Sequence, residues 1–173
     1  MNKAPVLLVI AVVVLVGIYL LLTQSSKFVT KTTPSESPIV AITSSRVDYS
    51  AGFAIFTNGT FRIFTAVMYH NLSKDVYIQA DNPNIVYVKK RGITWNDFFK
   101  TLPFKLTKDC LTTGTKQTFC TNINERLKFY VNGKEDANAL DNQIETGDQL
   151  LVTYGNENEA QIQKQLQQIP NIK

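Results

Sequence analysis

From Ala4 to Leu22 the chain reads "APVLLVIAVVVLVGIYLLL", nineteen residues without a charge. As a helix this run spans about 28 Å, close to the thickness of a bilayer's hydrocarbon core. Lipid obliges a spanning backbone to satisfy its own hydrogen bonds, so even a run rich in Val and Ile is helical there. The alternatives are a cleaved signal peptide and a buried core helix; read as a membrane span, the segment divides the chain into an anchor and a domain. A secretory signal has a shorter apolar stretch, roughly 7–15 residues, and a small-x-small cleavage site. The flank "LLLTQSSKF" offers no such site, and no cysteine follows it for lipid attachment. The expectation is a retained, single-pass transmembrane helix within residues 1–23, with Tyr19 near an interface. Lys3 on one side and Lys27 and Lys31 on the other barely discriminate its orientation. The short amino tail can hold no domain, so the reading is amino end inside and folded part outside the cytoplasm, at the cell membrane.

Residues 24–45, "QSSKFVTKTTPSESP" and its continuation, are rich in Ser, Thr, Lys and Pro and read as a flexible tether. Removing Lys3 from the 18 basic residues leaves 17 against 14 acids past the anchor, a net charge of about +3. That is weak for nucleic-acid binding, which needs Arg and Lys clustered with exposed aromatics. The membrane is the expected partner, together with another envelope protein or an anionic surface.

Residues 46–155 alternate between strand and helix signals. "FAIFTNGTFRIFT" is two apolar runs around Asn58-Gly59, a strong hairpin signature. "DVYIQADNPNIVYVKK" predicts strands over Val76–Gln79 and Ile85–Lys89. In "GITWNDFFKTLP" Thr94 and Asp97 have capping-box spacing, while Trp95, Phe98, Phe99 and Leu102 share one helical face. "FKLTKDCL", "KQTFC", "LKFYVNGK" and "GDQLLVTYG" return to strand patterns. The expected architecture is α+β, a β-grasp-like mixed sheet with one packed helix and with a wet and a dry face. The earliest hairpin, Phe53 to Thr65, reads as an extra layer or an extension of the sheet. In residues 156–173, Ile162, Leu166 and Ile169 lie on one face of a short amphipathic helix ending at Pro170.

Cys110 and Cys120, the only cysteines, have nine residues between them. A thioredoxin-type redox pair needs two intervening residues and a helix start, and a zinc site needs about four ligands. A disulfide across a hairpin fits best and suits an oxidising compartment; free buried thiols are the alternative. Asn58 in "NGT" and Asn71 in "NLS" match the glycosylation pattern, which is short enough to arise by chance. Lys89-Lys90-Arg91 is the densest positive spot and reads either as a charged strand end or as a contact for an anionic surface. Nucleophilic catalysis would have to use His70, the only histidine, and no nucleophile elbow accompanies it. Glu135 and Asp136 follow an Asn-Gly turn and read as solvated. No catalytic residue, metal site or cofactor is assigned.

The pieces "GITWNDFFKTLPFKLTKDCL", "FC", "LKFYVNGK" and "GDQLLVTYGNENEAQIQKQL" resemble a family of membrane-anchored, extracytoplasmic proteins of small-genome archaea and candidate-phylum bacteria. Its members are sometimes named protein-disulfide isomerases. The likeness covers most of the chain after the tether and is densest from Thr94 to Gln165. It implies an anchored domain outside the cytoplasm, and in relatives paired His-x-His clusters in the two earlier hairpins. Here "VDYSAGFAIF" and "NIVYVKKRG" stand in those places, so a metal site borne by those histidines would be lost. The ending "VNGK…TGDQLLVTYG" is also similar to β-grasp modules. Sulfur carriers of that fold need a free Gly-Gly end, whereas eighteen residues follow Gly155 here. Two functions stay open: a non-catalytic binding module, or a thiol-disulfide exchange protein using Cys110 and Cys120. A degenerate metal site around His70 is a weaker third.

Overall fold

A computed structural model of the protein describes residues 45–172. The expected span Ala4–Leu22 and the tether before Ser45 lie outside the described residues. Among the described residues no helix is long and apolar enough to cross a membrane.

Among the described residues the fold is mixed α+β, with two sheets and two α-helices. At the centre is β1 (Arg46–Thr57), which ends in the expected Asn58-Gly59 turn. Both turn residues have positive φ, 50° and 73°, and β2 (Thr60–Phe61) returns directly against Thr57. Then come β3 (Val76–Tyr77) and β4 (Ile85–Lys90). Helix α1 (Trp95–Thr101) follows, and after it β5 (Lys105–Leu106), β6 (Cys110–Thr112) and β7 (Thr118–Cys120). The chain closes with β8 (Arg126–Val131), β9 (Lys134–Glu135), β10 (Gln149–Gly155) and α2 (Glu159–Leu166).

The larger sheet runs β3-β4-β1-β10-β8-β9, with β2 attached to β1. β1 and β10 are parallel, with Phe53 opposite Leu150 and Ile55 opposite Val152; the other pairs are antiparallel. The earliest hairpin is therefore no extra layer, because its first strand is the middle of the sheet. The expected wet side is kept in β4, where half-buried Ile85, Tyr87 and Lys89 alternate with buried Val86 and Val88, but it is lost in the central pair. From Ala51 to Thr57 and from Leu150 to Gly155 every residue is buried, since both faces are covered.

One face carries Phe53, Ile55, Leu150 and Val152 against α1, whose Trp95, Phe98 and Phe99, with Leu102 just past its end, are buried as the spacing predicts. The capping box is present: Thr94 accepts from the Asp97 N–H, and Asp97 accepts from the Thr94 N–H at 3.0 Å. That Thr94 backbone bond, above all, holds the Asp97 carboxyl below its ordinary pKa. The opposite face carries Ala54, Phe56, Tyr130 and Leu151 against Ile162 of α2 and Ile169 beyond it. The helix stops at Leu166, short of Pro170. The Gln168 and Ile169 N–H groups bond three residues back, a tighter turn that drives Ile169 inward.

"FKLTKDCL" is two short strands rather than one. Together with β7 they form a separate sheet, β5-β6-β7. Its Leu106, Leu111 and Phe119 join the core on the α1 side. The strand expected over Val76–Gln79 is confined to Val76–Tyr77.

Candidate functional site

The segment after β2 leaves the sheet as "RIFTAVMYHNL", and its apolar residues divide in two directions. Phe64 turns inward, 4% exposed, with its ring 5.3 Å from Phe53 and from Tyr69 and 5.9 Å from Phe104. Ile63, Val67 and Met68 turn outward, 68%, 85% and 53% exposed. The Phe64 carbonyl is met by His70 Nε2 at 2.8 Å, which closes the short 3-10 turn Val67–Tyr69 onto the segment. The only histidine is thus a brace for this loop.

Facing the segment across a gap is the small sheet with its hairpin loop. Phe104 and Leu111 form the apolar part of that wall, and Thr113 to Thr115 form its rim. The two walls enclose a groove of about 370 Å³ with Ile55 in its lining, within the range of small-ligand sites. Thr113 and Thr115 spend their hydroxyls on each other, 2.9 Å apart. Arg62 stands in the lining as well. Its backbone N–H bonds the Ile55 carbonyl at 2.8 Å, its Nε donates to Thr57 Oγ1 at 2.6 Å, and its Cζ lies 5.2 Å from the Phe119 ring centroid. Phe119 in turn contacts Tyr154, whose hydroxyl donates to Glu125 at 2.8 Å; that bond, first of all, raises the Tyr154 pKa.

The other singled-out residues lie in separate places. Cys110 and Cys120 form a disulfide of 2.03 Å between directly paired positions of β6 and β7, each residue half-buried. Lys89 is ion-paired with Asp48 and Lys90 with Asp75 at 3.8 Å, so two of the three charges in the basic triplet have acidic neighbours. The Asp48 contact raises the Lys89 pKa. Arg91 is exposed, its backbone N–H bonded to Ser45. Asn58 and Asn71 are exposed in left-handed turns, φ 50° and 55°. Asp136 is engaged by Asn138 and Asn142. Among the described residues no three His, Cys, Asp or Glu side chains gather as metal ligands would.

Sequence reasoning missed Arg62, Ile63 and Met68. Their one signal is that apolar residues continue past the Asn-Gly hairpin without strand alternation. No protein-family model, curated protein or solved structure matches the chain.

Proposed function

We propose that the chain is a single-pass, membrane-anchored, extracytoplasmic binding module without catalysis of its own, and that it engages its partner through the groove between Arg62–Tyr69 and the disulfide-tied sheet. The observation that carries this is the pair Ile63 and Met68, large apolar side chains left exposed in the lining of one concavity, with exposed Val67 next to Met68 in the chain. Contiguous apolar surface of this kind marks interaction sites. The uncharged run Ala4–Leu22, the resemblance drawn from Thr94 to Gln165 and the Cys110–Cys120 bond support the anchored, external placement. The strand order β4-β1-β10-β8-β9, with a parallel central pair and α1 across one face, supports the β-grasp-like reading. The ion pairs at Lys89 and Lys90 make the groove a better contact than the basic triplet.

A photo-cross-linking residue at Met68 in native membranes tests the binding reading. A discrete adduct at Met68, absent when the probe replaces exposed Asp141, is the expected result; equal labelling at both positions, or none, refutes the groove as the contact. A membrane-impermeant thiol reagent applied to intact cells after reduction should reach Cys110 and Cys120. Protection of both thiols until the cells are lysed overturns the placement.

The half-burial of the two cysteines favours a second reading, thiol-disulfide exchange. Its measure is the reduction potential: below about −300 mV the bond is structural, and a thioredoxin-like or more oxidising value favours exchange.

A further inference from the structure

We infer that the groove takes an amphiphile with one acyl chain and one anionic head, the head held by Arg62; this rests on the groove being the contact site proposed above.

Arg62 is the first ground. Its guanidinium is fixed on two sides, by the Nε bond to Thr57 Oγ1 and by the Phe119 ring, and Thr57 is itself 2% exposed. The terminal nitrogens meet no acceptor among the described residues, and no acid forms an ion pair with them. What is left open is the two-pronged edge that matches a carboxylate or phosphate, already oriented before a ligand arrives. Glu125, linked to Phe119 through Tyr154, is occupied by the Tyr154 hydroxyl.

The walls are the second ground. Away from Arg62 and the Thr113–Thr115 rim the lining is mainly apolar, through Ile63, Phe64, Met68, Phe104 and Leu111. A bound peptide would bring a donor and an acceptor with every residue and would need partners for them. Part of the backbone beside the groove is already committed. The Arg62 N–H is bonded to Ile55, the Phe64 carbonyl to His70 and the Thr113 N–H to Gln117. An acyl chain asks for no hydrogen bonds along its length, and Met68 is a flexible side chain able to follow its contour. A charge on Arg62 beside a mainly apolar trough is the complement of a single-chain anionic amphiphile.

The two methionines, Met1 and Met68, give a direct readout. The full chain, carrying carbon-13 methyl groups on methionine, is placed in zwitterionic lipid nanodiscs and titrated with dodecanoate, dodecyl phosphate, dodecanol and acetate. Dodecanoate should shift the Met68 methyl saturably, acetate should not, and the dodecyl phosphate arm shows whether a phosphate head serves as well as a carboxylate. Met1 reports any general change in the lipid. Arg62→Gln should weaken dodecanoate about tenfold, the worth of one charged hydrogen bond, and leave dodecanol unchanged. Arg62→Lys should recover part of the loss, and Ile63→Gln, at an exposed position, should weaken both ligands. Equal binding of dodecanoate and dodecanol with no effect of Arg62→Gln overturns the role of the head. If no amphiphile moves Met68 while the Met68 cross-linker still captures a partner, the acyl ligand is wrong and the binding module stands. Silence in both experiments overturns both.

Discussion

Lys128 and Glu157 meet beside the end of β10 with little water: their side chains are 11% and 6% exposed, and Nζ lies 3.5 Å from Oε2. Lys128 also donates to the Glu157 carbonyl at 3.3 Å. Neither carboxylate oxygen accepts a hydrogen bond from the described residues, so Lys128 is what compensates this buried charge. Gly155 makes the space, since a Cβ there would lie 2.6 Å from Oε1. A buried pair of this kind is worth little against an apolar replacement of both members, yet breaking it strands a charge. Lys128→Met should therefore destabilise the protein by about 3 kcal/mol, and adding Glu157→Leu should restore most of that. Urea denaturation of the two variants is the measurement. A single variant as stable as the parent would mean that water reaches Glu157. Sequence reasoning had no access to this pair, because Glu157 reads as the polar start of a loop and its partner stands 29 positions earlier.

At the level of elements, what was legible is what is local. The Asn58-Gly59 and Asn132-Gly133 turns both have two positive φ values, and the Thr94–Asp97 cap and the α1 face need only neighbours in sequence. The place of β1 was not legible, because its parallel partner begins about a hundred residues away at Gln149. A cue did exist: "SAGFAIFT" is nearly continuous in small and apolar residues, the mark of a strand buried on both faces. The second cover is α2 with the residues after it, and its fit depends on Gly52. A Cβ there would lie 2.4 Å from the Pro170 carbonyl oxygen and 2.9 Å from Ile169 Cγ2. Gly52 is held between Ile85 and Gln149 in the sheet, so the tail must give way. Gly52→Ala should destabilise the protein by about 1–3 kcal/mol and open the tail to limited proteolysis. In a chain ending at Gln168 the same substitution should cost far less, since the clashing atoms are gone. An unchanged penalty after truncation would place the strain within β1 itself.

At the largest scale, the described residues join two sheets of unequal standing through the core on the α1 side. The larger has a central pair six residues long in register, whereas β5, β6 and β7 are two or three residues each, too short to persist alone. The groove lies where the small sheet faces the Arg62–Tyr69 segment, so it is assembled from pieces near residues 55, 62–69, 104 and 111–115. No local pattern announces such a place. Two things hold its outer wall: the packing of Leu106, Leu111 and Phe119, and the Cys110–Cys120 bond. In the chain-entropy account a loop of this size is stabilised by about 3 kcal/mol when closed. Reduction should therefore act unevenly. In hydrogen exchange, the amides of Thr113 and Thr121, bonded to Gln117 and Asp109 at 2.8 Å, should lose protection first. Those of Ile55 and Val152, in the central parallel pair, should exchange only with global unfolding. An equal loss across both sheets would mean that the disulfide constrains the fold as a single unit, and that the groove wall has no separate mobility for a ligand to exploit.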